Sequence, residues 1–140
     1  MTELENAEKL FQSYKVKEAY PLFQKLAGEG QSRALYFLAL YDLYNLDAVS
    51  LDPKEAIRKA LEGARADDGL CGVFCMLHYD LLSHEEFHEI MDAKEKWIDG
   101  AKKESDVFAL VALGCLRVVD GETAEYVHTG LHLLEAAALQ

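Results

Sequence analysis

The chain has little proline and little positive charge. Two prolines and nine glycines in 140 residues, with no serine- or glutamine-rich tract, exclude a long disordered segment and argue against a turn-rich β protein. Lysine and arginine number 14 against 25 acidic residues, a net charge of −11. The mean field therefore repels phosphate backbones and anionic headgroups, so neither nucleic acid nor a membrane surface is expected as a partner. The three cysteines, Cys71, Cys75 and Cys115, are an odd number in apolar runs, which suits reduced core thiols better than a disulfide framework. Serine is scarce, and both G-x-S-x-G and a glycine-rich phosphate loop are missing, so nucleophilic catalysis and nucleotide binding have no foothold. No catalytic residue, metal or cofactor is expected. The longest apolar run, Ala34 to Leu46, is interrupted by Asp42 and Asn45 and falls short of the roughly 18–20 residues of a membrane span. The N-terminal Met-Thr-Glu-Leu-Glu-Asn has neither the basic nor the apolar part of a secretory signal, which predicts a cytoplasmic protein.

What is present is a repeat. With 51% hydrophobic residues the chain can bury one core. Starting from Ala19, Phe23, Leu26 and Ala27, a step of 37 reaches Ala56, Ala60, Gly63 and Ala64, then Ala93, Trp97, Gly100 and Ala101, then Gly130, Leu134, Ala137 and Ala138. The spacing i, i+4, i+7, i+8 is one face of a helix, and small residues there admit a close neighbour. A second series lies between: Ala34, Leu38 and Ala39, then Gly72, Met76 and Leu77 at a step of 38, then Ala109, Leu113 and Gly114 at 37. Each unit is thus a helix pair. Boundary signals agree. Gly28 and Gly30 end one second helix, and Asp67-Asp68-Gly69 ends the next. Asp52-Pro53 and Ser83 with Glu86 read as N-caps, and Lys102-Lys103 complements a helix C-terminus. The reading is an all-α single domain of about eight helices with no strands. They span 2–13, 16–28, 31–46, 53–67, 69–82, 84–102, 105–119 and 122–139, in units of about 1–30, 31–68, 69–104 and 105–140.

The stretch Ala34-x3-Leu38-Ala39, Val49-x2-Asp52-x3-Ala56, Gly63-Ala64 resembles the Sel-one-like repeat, a relative of the tetratricopeptide repeat. Residues 2–30 look more like a bare tetratricopeptide hairpin, as in Lys17-Glu18-Ala19-x3-Phe23-x2-Leu26-Ala27. Asn45-Leu46-Asp47-Ala48 stands where the family's loop glycines would be, and Thr123 and Tyr126 replace its valine and aspartate in the last unit. The resemblance implies an α-α superhelix, or solenoid, of about four antiparallel hairpins, and a scaffold or adaptor that binds a protein or peptide on its inner face.

The first helices are apolar nearly all round, which requires burial all round. Either the array covers them itself or part of their surface forms a groove. The residues expected at such a groove are Tyr36, Phe37, Tyr41, Tyr44, Phe74 and Tyr79, with Asp42 and Asp80, a step of 38 apart, as an acidic pair suited to a basic peptide. From Glu104 to Gln140 there are six acids and one arginine, Arg117, which points the same way. The end of the last helix, Leu133 to Gln140, is apolar where a terminal repeat normally carries a polar cap, so the chain is expected either to belong to a longer array or to self-associate there.

Two constellations compete with this reading. His84-Glu85-Glu86-Phe87-His88 fits H-E-x-x-H, in which two histidines a turn apart hold zinc and the glutamate activates water. A zinc-dependent hydrolase would need a third ligand, for which Glu104 is the nearest acid; the blander account is a charged first turn after Ser83. Cys71, Cys75 and His78 share one helix face, but their sister positions are Arg33, Phe37 and Leu40, and Phe108, Ala112 and Cys115, so core packing is the better account.

Overall fold

The computed structural model describes residues 1–46, 51–104 and 106–119. Among them are eight α-helices and no strand: α1 Glu3–Gln12, α2 Val16–Gly28, α3 Ser32–Tyr44, α4 Pro53–Arg65, α5 Gly69–Leu77, α6 His84–Asp92, α7 Lys94–Glu104 and α8 Val107–Val119, with a 3-10 turn at Tyr79–Leu81. The expected helix over 122–139, with its apolar end, and the expected loop residues Asp47 and Ala48 lie outside the described residues.

Cap chemistry sets the boundaries. Asp52 accepts a hydrogen bond from the Glu55 N–H ahead of Pro53, and Ser83 and Glu86 form a reciprocal capping box. Asp68 caps α5 through the Cys71 N–H. Asn45 takes the left-handed conformation, φ 52°, that a loop glycine would otherwise supply. Two expected helices are broken. The segment 84–102 divides at Ala93 into α6 and α7, and the Trp97 indole N–H donates to the Ile90 carbonyl at the break. The segment 69–82 leaves the α-helix after Leu77 and tightens into the 3-10 turn.

The helices pack as hairpins. α1 pairs with α2, α3 with α4 and α5 with α7; α2 also packs on α3, α4 on α5 and α7 on α8, so each second helix lies against the first helix of its own pair and that of the next. Most of the repeating positions are buried: Ala19, Phe23 and Leu26; Ala56, Ala60, Gly63 and Ala64; Trp97 and Ala101; and on the first helices Ala34, Leu38 and Ala39, Gly72 and Met76, Ala109, Leu113 and Gly114; Ala27, Leu77, Ala93 and Gly100 are half-buried. No helix among the described residues is long and apolar enough to cross a membrane.

Close approach depends on glycine at the α5/α7 contact. A Cβ on Gly72 would lie 2.3 Å from the Trp97 ring, and one on Gly69 2.6 Å from the Ala101 nitrogen. Trp97 occupies the register position held by Ala60 in the preceding unit, and Gly72 makes room for it. Gly72→Ala should therefore lower stability by about 2 kcal/mol through overpacking, while Gly28→Ala, whose Cβ meets nothing within 4 Å, should be neutral or stabilising by about 0.5 kcal/mol. Urea denaturation of both variants measures the contrast.

Candidate functional site: an apolar groove among the first helices

Helix α3 holds the molecule together and defines one wall of the site. Phe37 stacks on Phe23 of α2 at 4.4 Å and meets Phe11 of α1 and Phe108 of α8 edge-on at 5.3 and 4.8 Å. One turn earlier, Arg33 gathers three carboxylates from other elements. Its Nη1 is 2.8 Å from Glu104, its Nη2 is hydrogen-bonded to Asp106, and its Nε lies 3.0 Å from Glu8 without the alignment of a hydrogen bond. Burial opposes the guanidinium charge, but Glu8, Asp106 and Glu104 together override it and hold the proton above arginine's usual value. Glu8 is raised: burial is the largest cause, Arg33 opposes it, and Asp106, Glu104 and Glu5 add to it.

Between α1, α3, α5 and α8 lies a groove of about 350 Å³. Its lining follows the repeat. Tyr36, Phe74 and Val111 are sister positions, as are Leu40, His78 and Cys115, at steps of 38 and 37; Phe11, Phe108 and Tyr44 complete the walls. The next row around the same helices, Phe37, Cys75 and Ala112, is buried, with Ala112 also reaching the groove.

The residues expected at a binding face therefore divide. Tyr36 and Phe74 are buried yet line the groove, and Tyr44, 58% exposed, stands at its edge. Phe37 and Tyr41 are core residues, because α1 and α2 cover that side of α3; the Tyr41 hydroxyl donates to the Val16 carbonyl. Tyr79 is exposed outside the groove, its ring beside Phe87 at 6.0 Å. Asp42 and Asp80 form no acidic pair across the inner face. Asp42 is buried and ion-paired with Lys59, while the early end of α5 puts Asp80 on the exposed 3-10 turn. Phe11, Leu40, Leu77, Phe108, Val111 and Cys115 were not expected at the site; the register that relates Tyr36 to Val111 and Leu40 to Cys115 is the signal that points to them.

His84, Glu85 and His88 are exposed on α6, with the imidazoles edge to face at 4.5 Å. Glu104, the acid that would complete a zinc set, is bound to Arg33. Among the described residues no three His, Cys, Asp or Glu side chains are grouped to hold a metal ion. Cys71 and Cys75 are buried free thiols. Burial, followed by Asp68, raises Cys71 well above its usual value, and burial, followed by Glu86, pushes Cys75 up to about 12. Burial lowers the His78 imidazole, with Asp80 opposing.

Comparison with protein-family models, curated proteins and solved structures returned no match.

Two outcomes test this electrostatic and thiol geometry. Glu8 favours the folded state when protonated, so its contribution is present below the ordinary value of 4.5 and is lost as pH rises through the raised folded value. Glu8→Gln should accordingly improve thermal stability relative to the parent chain more at pH 7 than at pH 4, whereas Arg33→Leu, which leaves three carboxylates together, should cost about 3 kcal/mol at pH 7. In native alkylation followed by mass spectrometry, half-buried Cys115 should react at least tenfold faster than Cys71 and Cys75.

Proposed function

We propose that the chain is a cytoplasmic protein-binding module of the helical-repeat type, a non-enzymatic adaptor that takes a peptide of a partner protein in the groove along its first helices. The observation that carries this is the groove itself: a concave apolar surface shared by the first helices of successive hairpins, opening at Tyr44 and at Val111, 41% exposed, on the side where stacked helix pairs present their inner face. The resemblance of residues 31–67 to the Sel-one-like repeat supports the same reading by analogy of fold. An acidic molecule favours approach by a basic partner, and that preference acts on encounter rather than on the seated contact. The zinc-hydrolase alternative at His84–His88 has no supporting observation beyond the five-residue pattern. Self-association through the last helix concerns residues outside those described.

The test is selection of peptides from a random displayed library against the immobilised chain. Selected peptides should slow alkylation of Cys115 and should bind Val111→Glu at least tenfold more weakly, with the melting temperature of that variant unchanged. Peptides that bind Val111→Glu as well as the parent chain and leave Cys115 labelling untouched would place binding elsewhere and defeat the proposal.

A further inference from the structure

The groove carries information about what fits it. Among the described residues, none of the side chains that line it is acidic or basic apart from His78, whose burial favours the neutral imidazole. Neighbouring charges are engaged elsewhere, Asp42 with Lys59 and Asp106 with Arg33. A lysine or arginine entering the groove would lose its water and gain no counter-charge, which is costly. The seated group is therefore neutral, although the molecule as a whole is acidic.

A second observation concerns hydrogen bonding. Buried aromatic side chains with a polar edge normally find a partner. Two in this fold do: the Tyr41 hydroxyl donates to the Val16 carbonyl, and the Trp97 indole donates to the Ile90 carbonyl. The Tyr36 ring is only 7% exposed and lines the groove; its hydroxyl makes no hydrogen bond to any described residue and is not enclosed, so it is open to a group entering the groove. Rings from four helices surround the space: Phe11 of α1, Tyr36 and Tyr44 of α3, Phe74 of α5 and Phe108 of α8. Such walls suit another ring, edge-on or offset.

We propose that the groove receives one neutral aromatic anchor of the partner peptide, a tryptophan or tyrosine whose N–H or O–H meets the Tyr36 hydroxyl. This rests on the reading of the groove as a peptide site and adds the chemistry of the residue that fills it. The Tyr36 hydroxyl is then a recognition group that no described residue engages.

The experiment is a titration of the full chain, followed by amide chemical shifts, with four probes: the N-acetyl amides of tryptophan, tyrosine, leucine and lysine. Tryptophan and tyrosine should bind most tightly, shifting groove residues, and lysine most weakly. Tyr36→Phe should weaken the tryptophan probe roughly three- to tenfold, as expected for one neutral hydrogen bond, leave leucine unchanged, and keep or raise the melting temperature, because the hydroxyl it removes has no partner among the described residues. Methylation of the probe's indole nitrogen should weaken binding to the parent chain by the same factor and have no effect on Tyr36→Phe. Tightest binding by lysine overturns the proposal, as does a Tyr36→Phe variant that is less stable yet holds tryptophan as well as the parent. Selected peptides that seat a leucine or lysine in the groove would overturn the anchor and leave the peptide-binding reading standing, whereas failure to select any groove-binding peptide would defeat that reading itself.

Discussion

The structure depends on the need to bury most of the surface of α3. Its sequence, from Ser32 to Tyr44, offers no polar stripe wide enough to face water, so neighbours must close over it. α1 and α2 cover the face of Phe37 and Tyr41, α4 covers another, and α8 meets α3 through Phe108 against Phe37. Arg33 sits one turn from Phe37 on the same helix and binds carboxylates from α1, α7 and the start of α8. The apolar stack supplies the attraction, and the charge node, which is geometrically demanding, fixes which ends meet.

The groove is a consequence of that closure rather than a separate device. The other first helices, α1, α5 and α8, converge on α3, and the space between them is not filled by their side chains. In the inner row Phe37, Cys75 and Ala112 are buried. In the two rows beside it Tyr36, Phe74 and Val111, with Leu40, His78 and Cys115, leave a gap lined by rings. The same helical repeat thus places one row in the core and two rows on a concave surface, because successive positions on a helix rotate away from the packed seam.

Much of the fold was legible in the chain. The step of 37 or 38 residues identified the buried small positions, and Asp52, Ser83 and Gly28 marked helix ends by local chemistry that needs no tertiary partner. The break at Ala93 was not legible, since Lys94 to Glu104 continues a good helical pattern; the Trp97 indole, folded back onto the Ile90 carbonyl, accompanies it. Of the expected contact residues, Tyr36, Tyr44 and Phe74 line the groove, while Phe37 and Tyr41 do not. An apolar helix face looks the same in sequence whether its cover is the protein or a partner.

The sequence by itself determined the all-helical class, the pairing into hairpins, the caps and the acidic field, because each follows from periodicity, composition or contacts a few residues apart. Tertiary structure alone decided where α8 returns against α1 and α3, that Asp42 turns to Lys59 instead of Asp80, and that Glu104 lies against Arg33. Those outcomes depend on separations of tens of residues and on which side chain reaches a shared space first, quantities that local pattern does not encode.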